Sequence, residues 1–450
     1  MEIEMKITLE EIEKKLKEKK FTEIKSIISY VNSADISGIL EKLDKKNATM
    51  LFRLLNKEIA GETFSYMNAD AKEELISDLT DVELKSVLDE LFMDDTVDLI
   101  EEMPSNVVTR ILKTVDKNDR KIINELLQYP DDSAGSIMTT EFVDLKENMT
   151  VEECIKRIRK KGVNSETIYI CYVLDKSRKL LGEVNIKDLL LANELDIVKN
   201  LMSQNTISVN TLEDQEEVAK TFDKYNLYAL PVVDNENRLV GIITVDDVIS
   251  VIQDEASEDF EKMAAINPND EGYFETSVFK HAKNRIVWLL VLMLSATLTG
   301  AIITNYEAAF AVVPILVAFI PMIMDTGGNC GSQSSTLIIR GLATDEIKLK
   351  DIFKVIWKEI RVALMVGTAL AVVNGTRIFL QYKDLKISIV IGITLMSTVV
   401  LSKMLGCILP IAAKKLKLDP AIMAAPLITT LVDTFSILVY FNIATLILGL

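Results

Sequence analysis

The sequence contains little of what most metalloenzymes and secreted proteins are built from. It has one histidine, His281, which excludes a site made of several histidine ligands, and we expect this side chain to be a polar residue at a membrane interface. No signal-peptide pattern opens the chain, and no nucleophile–base pair, Walker loop or metal-hydrolase motif is present. The four cysteines, at positions 154, 171, 330 and 407, have no metal-ligand spacing. We therefore predict that the protein is not an enzyme.

Basic residues are too few to balance the acidic ones over the longer, N-terminal part of the chain. Residues 1–284 contain 58 acidic and 36 basic side chains, a net charge of −22, whereas residues 285–450 contain 9 and 14, a net charge of +5. Because phosphate contacts need a basic surface, this acidity argues against a nucleic-acid partner. An acidic surface suits cations instead, and the change of sign indicates that the two parts lie in different surroundings.

Long apolar runs are confined to the second part, where five of them approach the ~20 residues that a bilayer requires. Basic residues precede the first run and lie between the second and third and between the fourth and fifth, and the loop after the first run has no base. The loop between the third and fourth runs fits the pattern poorly, because it also carries bases. The positive-inside rule then predicts cytoplasmic N-terminal domains and a C-terminus outside. The predicted spans are 286–304, 309–326, 354–375, 387–412 and 423–448.

Few charged residues fall inside these spans. Asp433 lies well within the last one, and a lone intramembrane carboxylate usually faces a pathway or a partner. The alternative is a carboxyl that is paired for packing or kept neutral. Asp325 lies near the end of the second span, and we expect Glu359 and Arg361, at the start of the third, to lie at the cytoplasmic surface.

The stretch "PMIMDTGGNCGSQSSTLIIRG", residues 321–341, places glycines and amides beside an apolar run. Gly327, Gly328 and Gly331 predict a broken backbone that lines a cavity, and the alternative is close helix packing. Freed carbonyls with Asn329 and Gln333 would supply neutral oxygens around the charge of Asp433, which suits a hard cation such as Mg²⁺ or Ca²⁺. Since an odd number of spans argues against an inverted repeat, we expect the pore to form between two chains.

The middle of the chain contains an internal repeat. "YVLDKSRKLLGEVNIKDLL" at 172–190 matches "PVVDNENRLVGIITVDDVI" at 231–249, and each copy predicts strand, turn, strand and helix start. The pattern resembles a tandem pair of CBS domains over about 137–255, which implies binding of an adenine nucleotide or another small ligand. Asp188 and Asp247 match the position that often binds a nucleotide ribose; capping of the following helix is the alternative for each.

Residues 1–130 show apolar residues at three- and four-residue spacing, which predicts short helices stacked into a superhelix. Acidic residues are dense between 89 and 102, and Asp94 and Asp98 share one helix face. A second acidic run, from Asp246 to Asp259, ends the repeat region. Such runs are either solvated faces or two halves of a cation site.

In this order, the parts resemble the MgtE family of magnesium transporters or channels. The motifs that carry the resemblance are "YPDDSAGSIMT", "GGNCGSQSSTLIIRGLAT" and "LDPAIMAAPLITTLVDTFSILVYF". It implies a multidomain membrane protein: a superhelical α-helical N-terminal domain, an α/β CBS pair, a connecting helix and an all-α transmembrane domain of five helices. We place the domains at 1–130, 131–200, 201–262, 263–284 and 285–450.

The resemblance also implies site residues. The pore carboxylate corresponds to Asp433, with Gly327, Gly328 and Asn329 near the ion path. Asn226 and Ser250 stand where some relatives carry aspartate, and Ser436 where a glycine is expected. The regulatory Mg²⁺ ligands it implies are Asp94, Asp98, Glu216, Asp247, Glu255, Glu258, Asp259 and Asp419.

The functional hypothesis is a homodimeric Mg²⁺ transporter or channel in the cell membrane. It would conduct Mg²⁺ into the cytoplasm and would close when cytoplasmic Mg²⁺ bridges the acidic N-terminal and CBS domains. ATP or another adenine nucleotide is the expected ligand of the CBS pair, with Asp188 as a contact. The alternatives are a CBS-regulated transporter of another divalent cation and a membrane Mg²⁺ sensor without transport.

Overall fold

The computed structural model describes residues 2–269, 272–274, 276–423 and 425–449. The chain divides into two compact units, Met1–Val251 and Ile252–Leu450.

Unit one begins with a stack of short helices. The helices are α1 Glu2–Lys17, α2 Phe21–Ile28, α3 Ser33–Leu40, α4 Lys45–Phe52, α5 Lys57–Ser65, α6 Ala69–Asp78, α7 Asp81–Leu88, α8 Met93–Glu102, α9 Ser105–Thr114 and α10 Lys117–Leu126. Their apolar faces form one core that includes the fully buried Ile36, Leu51 and Phe64. This confirms the predicted helical N-terminal domain.

A strict spacing organises the stack. The N-cap positions from α3 to α10 are 32, 44, 56, 68, 80, 92, 104 and 116, so one helix starts every twelve residues. In α3 to α7 the cap side chain is Asn, Asp or Thr, and it accepts a hydrogen bond from a first-turn amide of its helix. Phe92, before α8, offers no such acceptor.

The CBS pair contains two small sheets of the same topology. In each sheet a central strand pairs in parallel with the preceding strand and antiparallel with the following one. The strands are β1 Phe142–Lys146, β2 Thr167–Leu174, β3 Leu180–Asn185, β4 Val209–Asn210, β5 Ala229–Val233 and β6 Leu239–Thr244; the helices are α11 Val151–Lys161, α12 Ile186–Leu191, α13 Val198–Leu201 and α14 Gln215–Tyr225.

The repeat seen in the sequence is a repeat in structure. Asp175 Oδ1 accepts hydrogen bonds from the backbone N–H groups two and four residues on, at 2.7 and 2.8 Å, and Asp234 Oδ1 does the same at 2.8 Å in the second copy. The two turns face each other, since Lys179 and Arg238 form an antiparallel bridge. This confirms the tandem pair.

Helix α15, Val245–Met263, crosses from unit one into unit two, and the remaining helices belong to unit two. They are α16 Val278–Asn305, α17 Glu307–Val312, α18 Ile320–Ala343, α19 Ile352–Tyr382, α20 Leu385–Lys415 and α21 Ala425–Leu448, with 3₁₀ segments at Pro314–Phe319, Leu349–Asp351 and Pro420–Met423.

Four helical stretches in the described residues are long and apolar enough to cross a membrane: Val278–Asn305, Leu349–Tyr382, Leu385–Lys415 and Pro420–Leu448. The sequence-based second span, 309–326, differs from the structure. Pro314 has no N–H to donate, and the apolar run there divides into α17, a 3₁₀ segment and the start of α18. The helix of this region is α18, whose polar residues lower its hydropathy.

The connecting helix expected over 263–284 also differs from the structure. Helix α15 ends at Met263 and α16 begins at Val278, and the described residues between them are irregular. Residues 270, 271 and 275 of this prediction lie outside the described part of the chain. The Nε2 atom of His281, at the start of α16, lies 3.0 Å from the carbonyl oxygen of Tyr273.

Candidate ion path and acidic clusters

Helix α18 carries the glycine-rich stretch without interruption. The helix is continuous from Ile320 to Ala343, so its carbonyls bond within the helix, and the expected broken backbone with freed carbonyls is wrong. Glycine disfavours helix by about 1 kcal/mol per residue, so tertiary packing must offset the low helix propensity of this stretch.

The glycines allow α20 and α21 to approach α18 closely. A Cβ on Gly327 would lie 2.8 Å from both Thr398 Cγ2 and Val432 Cγ1, and a Cβ on Gly328 would lie 2.9 Å from Thr429 Cγ2. Ser436 Oγ is fully buried at the same contact, 3.0 Å from that position on Gly327. Close helix packing, the alternative in the sequence analysis, is therefore what these glycines provide.

The opposite side of α18 is a row of exposed polar residues, which we call the α18 polar face. Its members follow one another at intervals of four, four, three and four residues, which keeps them on one side of a helix. They are Asp325, Asn329, Gln333, Thr336 and Arg340. The two amides predicted for the ion path, Asn329 and Gln333, thus share a face, whereas Gly327 and Gly328 lie on the buried side.

Asp433 lies in α21, one turn beyond Thr429, and is half-buried. Since Gly328 contacts Thr429 and Gly327 contacts Val432 and Ser436, α18 and α21 run antiparallel. Among the described residues, the charged group that acts electrostatically on Asp433 is Asp325, and no base is among the groups that act on it. Asp325 and Asp433, on two antiparallel helices, therefore repel each other electrostatically.

A buried polar triad lies elsewhere in the transmembrane helices. Glu359 is 9% exposed, accepts a 2.6 Å hydrogen bond from Ser334 Oγ and lies 3.8 Å from Lys403 Nζ, which donates to Ser334 Oγ at 3.1 Å. The prediction that Glu359 lies at the cytoplasmic surface is therefore wrong, whereas Arg361 is exposed. A single sequence does not reveal that α18, α19 and α20 bring these three residues together.

In unit one, acidic residues of α8 face acidic residues of the CBS pair; we call this group the α8 acidic cluster. Its members are Asp94, Asp95 and Asp98 of α8 with Glu166 and Asp247 of the CBS pair. Asp247 Oδ2 accepts a 2.7 Å hydrogen bond from Thr244. Asp94, Asp98 and Asp247 are cation ligands that the sequence predicts. Glu166 is not predicted from the sequence, because it lies 81 positions before Asp247 and outside both acidic runs.

The α8 acidic cluster strongly opposes ionisation of its own carboxyls. Burial, with added repulsion from Asp247 and Asp95, raises the pKa of Asp94 to about 9. Burial followed by neighbouring carboxylates likewise raises the pKa of Glu166 to about 8 and that of Asp98 to about 7. These carboxyls need protons or a cation to remain packed together.

The donor atoms of the cluster are all carboxylate oxygens. Asp94 is only 8% exposed, and its buried Oδ1 atom has no hydrogen-bond partner among the residues that the structure describes. In the described part of the chain, no three Asp, Glu, His or Cys side chains stand close enough together to hold a metal ion directly.

The other predicted ligands of unit one lie apart. Glu216 forms a 3.0 Å ion pair with Lys220. Asp188 is exposed, and the Nδ2 atom of Asn185 lies 3.5 Å from its Oδ2. Asn226, where some relatives carry aspartate, ends α14 in the left-handed conformation at φ 52°, which asparagine adopts more readily than most residues.

In unit two, a lysine already bridges two of the predicted ligands. Lys262 Nζ lies 2.7 Å from Glu258 and 2.8 Å from Asp419, whose Oδ1 also accepts a hydrogen bond from the Ala421 amide. Burial works to lower the pKa of Lys262, but the hydrogen bonds with Asp419 and Glu258 outweigh it and raise the pKa. Glu255 and Asp259 lie on the same helix.

Comparison with known proteins places these features in a family. Family models match three parts of the chain: the MgtE intracellular N domain over 31–132, the CBS domain over 134–194 and 198–254, and the MgtE model, described as a divalent cation transporter, over 320–443. A match to an L-aspartate semialdehyde sulfurtransferase from Methanocaldococcus jannaschii covers only 28% of this chain. The model over 320–443 describes a transporter, a non-enzymatic function, which confirms the prediction that the protein is not an enzyme.

Two solved structures resemble unit one. The soluble part of a magnesium transporter is 29% identical with a TM-score of 0.53, over 56% of this chain and 99% of its own. The cytosolic domain of the Mg²⁺ channel MgtE in complex with ATP is 32% identical with a TM-score of 0.51, over 53% and 98%.

Whole-length relatives are similar as well. The magnesium transporter MgtE of Thermus thermophilus is 33% identical over 100% of this chain and 99% of its own length. The magnesium transporter MgtE of Bacillus subtilis is 32% identical over 96% and 95%. At this identity over the full length, the chain belongs to the MgtE family of divalent cation transporters.

Proposed function

We propose that the protein transports Mg²⁺ across the cell membrane along a path lined by α18 and α21. The observation that carries the proposal is the α18 polar face together with Asp433. Polar and acidic side chains in membrane helices are costly unless they face water or a partner. Oxygen donors without sulfur or imidazole suit a hard cation, and one carboxylate with amides suits an ion that stays largely hydrated.

The path is completed by a second copy of the chain. In one chain the α18 polar face is exposed, so a homodimer that places two such faces opposite each other would enclose a polar pore. The N-terminal domains would then be cytoplasmic, the C-terminus outside, and the ion would move inward down its electrochemical gradient.

The acidic clusters supply the regulation. With little Mg²⁺ in the cytoplasm, the like charges of the α8 acidic cluster repel and loosen unit one. At higher Mg²⁺, the ion neutralises Asp94, Asp98 and Asp247 and stabilises the packed, closed state. This is a population shift, and it requires tighter ion binding to the closed state than to the open one. Glu255, Glu258, Asp259 and Asp419 would bind further ions in unit two, and Glu216 in unit one. An ion at Glu258 and Asp419 would displace Lys262, and an ion at Glu216 would displace Lys220.

An adenine nucleotide is the proposed ligand of the CBS pair. The similar cytosolic domain of an MgtE channel is described as an ATP complex. Asp188 is exposed in the first turn of α12, where its carboxylate could accept hydrogen bonds from a ribose in addition to the one from Asn185.

The decisive experiment is Mg²⁺ flux into liposomes that contain the purified protein. Asp433→Asn keeps the size of the side chain and removes its charge, so we expect flux to fall to the level of protein-free liposomes. The matched control is Asp345→Asn: Asp345 is exposed in the loop after α18 at φ 56°, a conformation that asparagine also adopts. This control should conduct like the original protein.

The other outcomes separate the alternatives. Equal flux in Asp433→Asn and the original protein would remove Asp433 from the path. Flux in neither, with the protein monodisperse and internal Mg²⁺ kept low, would favour a sensor without transport. Flux of Ca²⁺, Mn²⁺ or Co²⁺ in place of Mg²⁺ would favour a transporter of another divalent cation.

A further inference from the structure

Asp325 begins the α18 polar face. It lies one turn before Asn329 on the same side of the helix, and both are exposed. The neighbouring residues on the other side, Ile323 and Gly327, are buried against the helix bundle. Asp325 therefore lies on the same side of α18 as Asn329 and Gln333, and not on the side that packs against the helix bundle.

The register between α18 and α21 brings Asp325 toward Asp433. Gly331 contacts Ile428, Gly328 contacts Thr429, and Gly327 contacts Val432 and Ser436. Moving toward the start of α18 thus means moving toward the end of α21, and Asp325 reaches the level of Asp433. Electrostatic repulsion acts between the two carboxylates, and no base in the described residues acts on Asp433 to relieve it.

Two carboxylates near each other on a polar face are suited to a divalent ion. Each alone matches half of the charge of a divalent cation, and in membrane surroundings their mutual repulsion is weakly screened. A hydrated Mg²⁺ between them would donate hydrogen bonds from its water shell to both carboxylates, so neither carboxylate needs to coordinate the ion directly. A monovalent ion neutralises only one of the two charges.

We propose that Asp325 is a specificity-determining residue of the ion path, which recruits hydrated divalent cations to Asp433. This inference rests on the proposed function, because it assumes that Asp433 lines the path. Asp325 then acts on the concentration dependence of transport and on the preference for divalent over monovalent ions, while Asp433 is required for flux itself. The competing interpretation of Asp325 is an interfacial carboxylate that merely adds negative surface potential.

The test measures Mg²⁺ flux into liposomes over a series of Mg²⁺ concentrations, with full-length variants that remain monodisperse. We expect Asp325→Asn to raise the Mg²⁺ concentration for half-maximal flux by about tenfold, because the local enrichment of the cation is lost. Asp325→Glu should lie closer to the original. The matched control is Glu307→Gln, which removes a carboxylate at the exposed start of α17 and should leave the curve unchanged.

Hexaamminecobalt(III), an inert mimic of hydrated Mg²⁺, provides a second readout. It should inhibit the original protein at lower concentration than Asp325→Asn, because recognition through a hydration shell needs both charges. Identical curves for Asp325→Asn and the original, or equal shifts for Asp325→Asn and Glu307→Gln, would overturn the inference while loss of flux in Asp433→Asn upheld the path. Full flux in Asp433→Asn would overturn both.

Discussion

At the scale of the residue, Glu359 is the side chain whose position differs most from what its sequence neighbourhood indicates. It lies in a stretch that also contains exposed charges, yet it is buried with Ser334 and Lys403. Removing one partner of a buried ion pair leaves an uncompensated charge and costs about 3–5 kcal/mol. We therefore expect Lys403→Met to lower the thermal unfolding temperature of the purified protein markedly.

The double variant Glu359→Gln/Lys403→Met separates charge from packing. Because it leaves no unpaired charge, it should unfold at a higher temperature than Lys403→Met alone. Lys358→Met, on the exposed side of the same helix as Glu359, is the control and should change little. If the double variant lowers the unfolding temperature by the sum of the losses in Lys403→Met and in Glu359→Gln alone, the charges of Glu359 and Lys403 do not stabilise each other.

At the scale of the element, α8 differs from its neighbours in the origin of its cap. The side chain of Phe92, at the N-cap position, has no hydrogen-bond acceptor. The Met93 amide instead donates a 2.9 Å hydrogen bond to the side chain of Glu141, which precedes β1 of the CBS pair. A cap contributes about 1 kcal/mol, so Glu141→Ala should speed amide hydrogen exchange in the first turn of α8 by about fivefold. Mass spectrometry of deuterium uptake measures this.

Helix α6 provides the comparison. The side chain of Asn68, the residue directly before α6, caps that helix. Glu141→Ala should therefore leave amide exchange in α6 unchanged. Asn68→Ala should speed amide exchange in α6 and not in α8. Glu141→Gln keeps an acceptor oxygen and should restore much of the protection of α8. Equal exchange of α8 in Glu141→Ala and the original would mean that the bond is not a stabilising contact between the N-terminal domain and the CBS pair.

The elements that sequence predicts well are those whose signal is local. The paired turns at Asp175 and Asp234 follow from a repeated pattern of turn residues, and the apolar runs predict α16, α19, α20 and α21. The twelve-residue spacing of the N-terminal helices is hard to recognise in the sequence, because Phe92 and Pro104 interrupt the series of polar caps. The sequence does not predict the continuity of α18, because tertiary packing overrides the low helix propensity of glycine.

The residues of the candidate sites also differ in whether the local sequence reveals them. Asp433 is recognisable because a lone carboxylate in an apolar run is conspicuous in the sequence. Glu166 and Lys403 become visible only when distant segments meet, since neither stands in a motif with its partners. Asp325 is intermediate: its spacing from Asn329 and Gln333 is readable, but the relevance of that spacing depends on knowing that the helix continues.

At the scale of the whole molecule, the α8 acidic cluster makes stability depend on pH and on Mg²⁺ together. The pKa of Asp94 rises from 3.8 to about 9, and those of Glu166 and Asp98 rise to about 8 and about 7. Since the folded pKa exceeds the unfolded one, each carboxyl contributes stability that is full below about pH 4 and is lost as pH rises through the folded value. Without Mg²⁺, the unfolding temperature of unit one in the full-length protein should therefore fall from pH 6 to pH 9.

Mg²⁺ should cancel this fall, because the ion replaces the protons that neutralise the cluster. Its binding at pH 7 would then release protons, which calorimetry detects as a binding enthalpy that varies with the ionisation enthalpy of the buffer. Asp94→Asn removes the carboxyl whose pKa is raised most, so it should reduce both the fall of stability with pH and the release of protons. Asp188→Asn, an exposed carboxylate of the same unit, should change neither. A Mg²⁺ binding enthalpy that is the same in every buffer would show that protons and Mg²⁺ do not compete for the cluster, and the regulatory role of Asp94 would have to be abandoned.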